Sequence, residues 1–267
     1  MTERTSVMSA RMSMRMLMVA VVLLVGALTV SLGMVAATPE AAHASGKTKV
    51  WVVTKDQLKE GGYTETIAFA YNKNGLLKNS KHTFDESVST RNVYKYDSKG
   101  RLKSSINVWG SGPSDRDTTT YKRNSKGYVT KSIEKIGSQS YVMTFSYNSK
   151  GKLTKLNTPE GYAKYGYNKK GRLTSKSLEW ATDKLKYDKK GRIKAVIRIG
   201  DDSTKEKATY TSGRVSKITV YDADGAKQSV RTFTYKKVSV PKKYAKMVKA
   251  QQAALIWDIV PLAAAHR

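Results

Sequence analysis

Tyr165 to Ala195 says the same nine-residue phrase twice, YGYNKKGRL from Tyr165 and LKYDKKGRI from Leu185. The phrase recurs as FAYNKNGLL from Phe69, YKYDSKGRL from Tyr94, YKRNSKGYV from Tyr121 and FSYNSKGKL from Phe145, with degraded copies YTSGRV from Tyr210 and VYDADGAK from Val220. A repeat of this length makes each copy one supersecondary unit that hides its apolar face only by stacking on its neighbours.

Each copy reads as a β-hairpin. Asp or Asn at the first turn position accepts hydrogen bonds from the backbone ahead of it, and the Gly three residues on can take a left-handed conformation, which closes a three-residue loop with a Gly bulge. The register then sets Asp97 opposite Arg101 and Tyr96 opposite Leu102. Continued period-two alternation puts Tyr94, Tyr96, Leu102, Ile106 and Val108 on one face. The same rule groups Leu185, Tyr187, Ile193, Ala195, Ile197 and Ile199. Turn glycines fall at Gly75, Gly100, Gly127, Gly151, Gly171, Gly191 and Gly213, steps that hold two strands of about seven residues and two short turns. Gly225 follows Gly213 too closely for that period, so the Asp222–Gly225 turn belongs on the opposite edge.

The segments flanking the repeats differ in kind. Arg4, Arg11 and Arg15 precede an apolar run from Met16 to Ala37, and Ala42-His43-Ala44 offers a small-x-small cleavage site. Residues 1–44 thus read as a secretory signal. An uncleaved anchor is the alternative, and it would be the protein's only route to a membrane. Residues 45–240 form the repeat domain, and residues 241–267 a C-terminal helical cap, with Tyr244, Met247, Val248 and Leu255 on one side and a sheet edge or apolar end as its place.

The repeat, with Tyr-x-Tyr-Asp-x-x-Gly-Arg-Leu as its fullest form at Tyr94, resembles the YD repeat of the RHS family of bacterial surface and toxin proteins. That resemblance covers roughly residues 62–236 and implies a secreted β-hairpin array, in some members carbohydrate-binding and in others a shell around a toxin. This array is too short for a large shell. The expected fold is all-β: one curved antiparallel meander of tandem hairpins, able to curl, with a short C-terminal helix.

Chemistry for catalysis is sparse. The chain has no Cys and three His, of which His43 lies in the signal and His82 and His266 at opposite ends of the rest. No Ser-His-Asp trio or Cys/His metal spacing is available, and paired carboxylates such as Asp115 with Asp117 or Asp201 with Asp202 fall in turns where Asp bonds locally. The sequence therefore reads as non-enzymatic, without cofactor or metal. Asp222-x-Asp224-Gly225 reads as an ordinary turn, since a calcium loop needs a third oxygen ligand and a closing Glu.

Charge is what remains. Lys and Arg number 49 against 21 Asp and Glu, a formal net charge of +28. In a meander the Asx-x-x-Gly turns share one edge, and that edge carries Lys73, Lys99, Arg101, Lys126, Lys150, Lys152, Lys169, Lys170, Arg172, Lys189, Lys190 and Arg192. The other edge collects Asp85, Glu86, Asp115, Asp117, Glu160, Glu179, Asp183, Asp201, Asp202, Glu206, Asp222 and Asp224. The reading is an exported, wall-associated binding protein that holds an extracellular polyanion, teichoic acid or acidic polysaccharide, along the basic edge from Lys99 to Arg192. A neutral-glycan or host-protein adhesin is the alternative, using a trough of Tyr71, Tyr94, Tyr96, Phe145, Tyr147, Tyr165, Tyr167, Tyr187, Tyr210 and Tyr235, although such aromatics also suit a core. A glycan-acting enzyme is third. Export excludes nucleic acid as a physiological partner, despite its attraction to such a surface.

Overall fold

A computed structural model describes residues 46–85, 87–112 and 115–265. The signal segment, the Ser45 boundary, Glu86 and His266 lie outside the described residues. The first half of the chain contributes β1 (Lys47–Glu60), β2 (Tyr63–Tyr71), β3 (Leu77–Phe84), β4 (Ser87–Tyr96), β5 (Leu102–Val108), β6 (Arg116–Arg123), β7 (Val129–Ile136) and β8 (Gln139–Tyr147). The second half adds β9 (Leu153–Thr158), β10 (Gly161–Tyr167), β11 (Leu173–Ser177), β12 (Ala181–Tyr187), β13 (Ile193–Gly200), β14 (Thr204–Thr211), β15 (Arg214–Tyr221) and β16 (Lys227–Pro241). Two helices follow, α1 (Lys242–Trp257) and α2 (Leu262–Ala265).

The sheet is all-β and antiparallel, as the repeat implies, but it is not an open curved meander. It closes into a barrel in which β1 pairs with β16. These are the two longest strands, 14 and 15 residues, and their ladder runs from Lys47 opposite Pro241 to Glu60 opposite Ser229. Closure removes both edges that a cap would have had to cover. α1 accordingly does not lie on an edge. Its first turns pack at the Gly-turn end, Tyr244 near Gly100 and Val248 near Gly75, and its far end places Ile256 and Trp257 in the core inside the barrel. Two glutamines fix this plug: Gln252 Oε1 accepts from Val53 N at 2.7 Å, and Gln251 Oε1 from Leu77 N at 2.9 Å.

Within each hairpin the turn forms as its sequence dictates. Asp97 N donates to the Arg101 carbonyl, Gly100 N to the Asp97 carbonyl, and Tyr96 faces Leu102. Gly100 sits at φ +78°, the left-handed region. The face assignment beyond the turn is corrected by a second irregularity. Lys95 pairs with Ser104 while Tyr96 pairs with Leu102, so Lys103 is an extra residue, a bulge. The same skip recurs at Lys78, Thr130, Thr154, Thr174, Lys194 and Ser216.

A bulge swaps which alternate residues face inward. Past it, Ser105 and Asn107 face the interior and Ile106 and Val108 do not. In β13, Val196 joins the core and Arg198 reaches Asp183, while Ile199 is 49% exposed. Inward positions after each turn are thus the Leu, then the third and fifth residues beyond it. Closure also turns the aromatics inward: Phe145 and Tyr165 lie in the core, and Tyr71, Tyr94, Tyr96, Tyr147, Tyr167, Tyr187, Tyr210 and Tyr235 pack against it, so the set forms no open trough, and Tyr94 and Phe145 border a space inside the barrel.

Candidate functional site

One barrel end carries the Gly turns, and the other carries the second turns together with the Asp222–Gly225 turn. At the Gly-turn end, Lys73, Lys99, Lys126, Lys150, Lys169, Lys170, Lys189 and Lys190 are exposed. Lys242, Lys243, Lys246 and Lys249 of α1 are exposed beside them. Among the described residues none of these lysines is in an ion pair.

The other four predicted rim cations, Arg101, Lys152, Arg172 and Arg192, are half-buried and have structural partners. Arg101 and Arg192 grip the Asp of their own turns, with Nη2 to Oδ2 distances of 2.7 Å to Asp97 and 2.6 Å to Asp188. The cation after the Gly also lies over the Tyr of the next hairpin: Lys152 at 6.0 Å from Tyr167, Arg172 at 5.7 Å from Tyr187, Arg192 at 4.1 Å from Tyr210. Each such Tyr in turn donates its hydroxyl backwards, to the carbonyl at the preceding repeat's bulge: Tyr96 to Leu77, Tyr167 to Leu153, Tyr187 to Leu173, Tyr210 to Ile193 and Tyr235 to Val215, at 2.6–2.9 Å. Burial raises the Tyr187 and Tyr210 hydroxyls to about 12, so they remain donors. The repeat's Tyr and Arg therefore bind hairpin to hairpin, and the lysines of the turn are left to solvent.

The acidic side is less uniform than its sequence grouping. Asp85, Glu160, Glu179, Asp201, Asp202, Asp222 and Asp224 stand in the second turns, with Asp115 beside them. Asp222 is used within its turn, accepting from Ala226 N and Gln228 Nε2. Asp117, Asp183 and Glu206 are instead strand residues that turn inward.

Inside, the two halves of the barrel differ. In the later strands charges compensate: Asp183 pairs with Arg198 at 2.8 Å, and Asp56 with Arg231, which also donates to the Ile256 carbonyl. Asp258, at the end of α1, is pushed up to about 6 by burial, against the pull of Lys176 and Arg231. Between β1 and β8 the lumen holds a cavity of about 280 Å³, floored by residues 254–263 of the C-terminal segment. Its wall is built in register. Ser80, Asn92, Asn107 and Asp117 form one row across β3 to β6. Tyr94, Ser105, Thr119 and Glu134 form the next, across β4 to β7. Phe69, Tyr121 and Phe145 supply apolar wall. His82 Nδ1 lies 3.4 Å from Glu65 Oε1 at one side.

Glu134 is 5% exposed and has no hydrogen-bond or ion-pair partner among the described residues. Burial, with Asp117 and Glu160 nearby, pushes its carboxyl up to about 7. Asp117 Oδ1 and Asn107 Oδ1 are buried without partners. Period-two reasoning missed this site because it carried the inward face past the bulge unchanged. The signal was nonetheless present: the third and fifth residues after the Leu or Val are Ser80 and His82, Ser105 and Asn107, Ser132 and Glu134 in the first three repeats. Later repeats place Leu156, Val196 and Ile218 at the third position.

Residues 118–235 match the family model of the teneurin YD-shell. Over residues 118–235 the repeat is a YD repeat. No curated protein matches the chain. Among solved structures, a porin-like protein from Bacteroides uniformis is similar at 14% identity and a TM-score of 0.49, over 69% of this chain and 98% of that one. A TcdB2–TccC3–Cdc42 complex is similar at 14% identity and a TM-score of 0.32 over 64% of this chain. The Photorhabdus luminescens Tc holotoxin pore carrying a TccC3 substitution is similar at 14% identity, with a TM-score of 0.31 over 64% of this chain. This chain covers 12% of the length of each of those two toxin chains.

Proposed function

We propose that this chain is an exported, non-catalytic binding protein whose Gly-turn end holds an extracellular polyanion such as teichoic acid or an acidic polysaccharide. The observation that carries the reading is the group of exposed lysines, unpaired among the described residues, on successive Gly turns and on the adjacent α1. Neighbouring Gly turns are two strands apart, about 9.6 Å, so a polymer charged every several ångströms meets a cation from each hairpin it passes. Single exposed contacts contribute about 0 to 1 kcal/mol, and affinity comes from their number. Export is supported by the leader-like character of residues 1–44 and by the resemblance to secreted YD-repeat proteins. Outward strand rows such as Thr182, Lys184 and Lys186 suit a barrel standing in water, since a lipid-facing barrel needs an apolar band.

The test compares two sets of six charge removals. Lys99, Lys126, Lys150, Lys169, Lys170 and Lys189 to Gln should weaken binding of a poly(glycerol phosphate) teichoic acid at least about tenfold more than Lys164, Lys184, Lys186, Lys194, Lys205 and Lys217 to Gln. Wild-type binding should fall steeply between low and physiological salt, where the Debye length is about 8 Å. Equal losses from the two sets would mean diffuse attraction to a basic protein and would remove the site.

A further inference from the structure

The lumen cavity is a second site, independent of the basic rim. We propose that it binds a small organic cation, an ammonium or guanidinium on a compact apolar body, with Glu134, Asp117 and Asn107 as the acceptors. Three observations converge. First, Glu134 is almost wholly buried yet unpartnered among the described residues, and an ionised carboxylate in that position costs several kcal/mol unless a cation meets it. Second, Asp117 Oδ1 and Asn107 Oδ1, cross-strand neighbours on β6 and β5, are likewise buried acceptors without a donor. Buried polar groups are ordinarily satisfied, so these two orphan acceptors beside the Glu134 carboxyl describe the donor that belongs there. Third, the one arginine that lines the cavity among the described residues, Arg231, is already held by Asp56 and by the Ile256 carbonyl, and no described lysine lines it.

The remaining wall sets the ligand's body and size. Tyr94, Tyr121 and Phe145 present aromatic surface, which favours a cation over a neutral polar group. At about 280 Å³ the space is near the lower bound of ligand pockets, roughly 300 to 1,000 Å³. Among the described residues no three His, Asp or Glu groups are arranged to hold a metal ion, which also favours an organic donor over a bare ion. Glu160, in the β9–β10 turn, lies close enough to raise the Glu134 carboxyl and so adds negative potential that favours a cation at the cavity.

The site also predicts a pH dependence. Glu134 on β7 is faced by Asp117 from β6 and by Glu160 from the β9–β10 turn. Glu65 and His82 stand on the β2 and β3 wall, and Asp56, Arg231 and Asp258 near the floor. With the Glu134 carboxyl at about 7, a cation meets a mostly neutral acid at pH 6 and a mostly ionised one at pH 8.

Isothermal titration of the full chain with benzylamine, against benzyl alcohol as the uncharged mimic, tests the proposal. Expected are one-to-one binding of benzylamine at pH 8, about tenfold weaker at pH 6, and at least tenfold weaker binding of benzyl alcohol. Glu134→Gln should lose about tenfold or more in affinity. Asp117→Asn should lose severalfold, and it gives the deciding comparison if Glu134→Gln melts below wild type. Lys169→Gln with Lys170→Gln should bind benzylamine as wild type does, which separates this site from the polyanion rim. No binding of benzylamine to the wild type at millimolar concentration, equal binding of the alcohol, or undiminished affinity in folded carboxylate variants would each overturn it.

Discussion

Replacing Tyr187 with Phe removes one oxygen and little else. The ring stays in the core boundary, and Arg172 keeps an aromatic face 5.7 Å away. What goes is the 2.6 Å hydrogen bond from the Tyr187 hydroxyl to the Leu173 carbonyl, at a residue that is fully buried. A hydrogen bond is worth about 0.5 to 1.5 kcal/mol net, and the buried carbonyl left behind adds a desolvation cost, so the loss should be about 1 to 2 kcal/mol. For a domain of this size that corresponds to roughly 2 to 8 °C in melting temperature. Tyr147 is the internal control. It occupies the same repeat position, but its buried hydroxyl has no partner. Tyr147→Phe discards an unsatisfied polar atom and should be neutral or stabilising. Thermal melts followed by circular dichroism on both variants decide the matter. Equal shifts in the two would mean that the hydroxyl-to-carbonyl bond does not join neighbouring repeats, and that the Tyr acts through ring burial alone.

Glycine substitutions should separate backbone strain from packing. Gly213→Ala meets nothing within 4 Å, so it carries only the strain of φ +80°, about 1 kcal/mol. Gly100→Ala adds the same strain and sets a Cβ 2.5 Å from the Tyr244 ring, so denaturant midpoints should show a clearly larger loss, with α1 displaced. Stability should also fall as pH rises through the interval set by buried acids. Glu134 and Asp258 hold protons up to about 7 and about 6 in the folded barrel, whereas their ordinary values are 4.5 and 3.8. The native state therefore binds more protons than the unfolded chain across that window, and stability present at pH 4 is lost by pH 8. Glu134→Gln should accordingly raise the melting temperature at pH 8 and match wild type near pH 4; a gap of the same size at both pH values would refute the assignment.

The sequence by itself determined the unit. An Asx, a Gly three residues on, and the Tyr and Leu on either side are local chemistry, and they fix the hairpin turn, the pairing of Tyr96 with Leu102 and the sorting of turn lysines to one end of the array. The exposed character of Lys169 and Lys189 follows from the same local pattern. Tertiary structure decided three things that no window of the chain contains. Closure depends on β1 meeting β16 across the whole array, so whether the sheet stayed open was not written in any one repeat. The structural work of Arg101, Arg172 and Arg192 appears only once neighbouring hairpins are in place, because each reaches its own turn Asp, the next Tyr, or both. The cavity came last, since the bulge after each Leu exchanges inward for outward residues. It brings Asn107 and Glu134 inside, where closure of the barrel removes them from water. A face assigned by alternation holds only while the ladder is regular, and in this chain the hairpins break it one residue past the Leu that follows the turn.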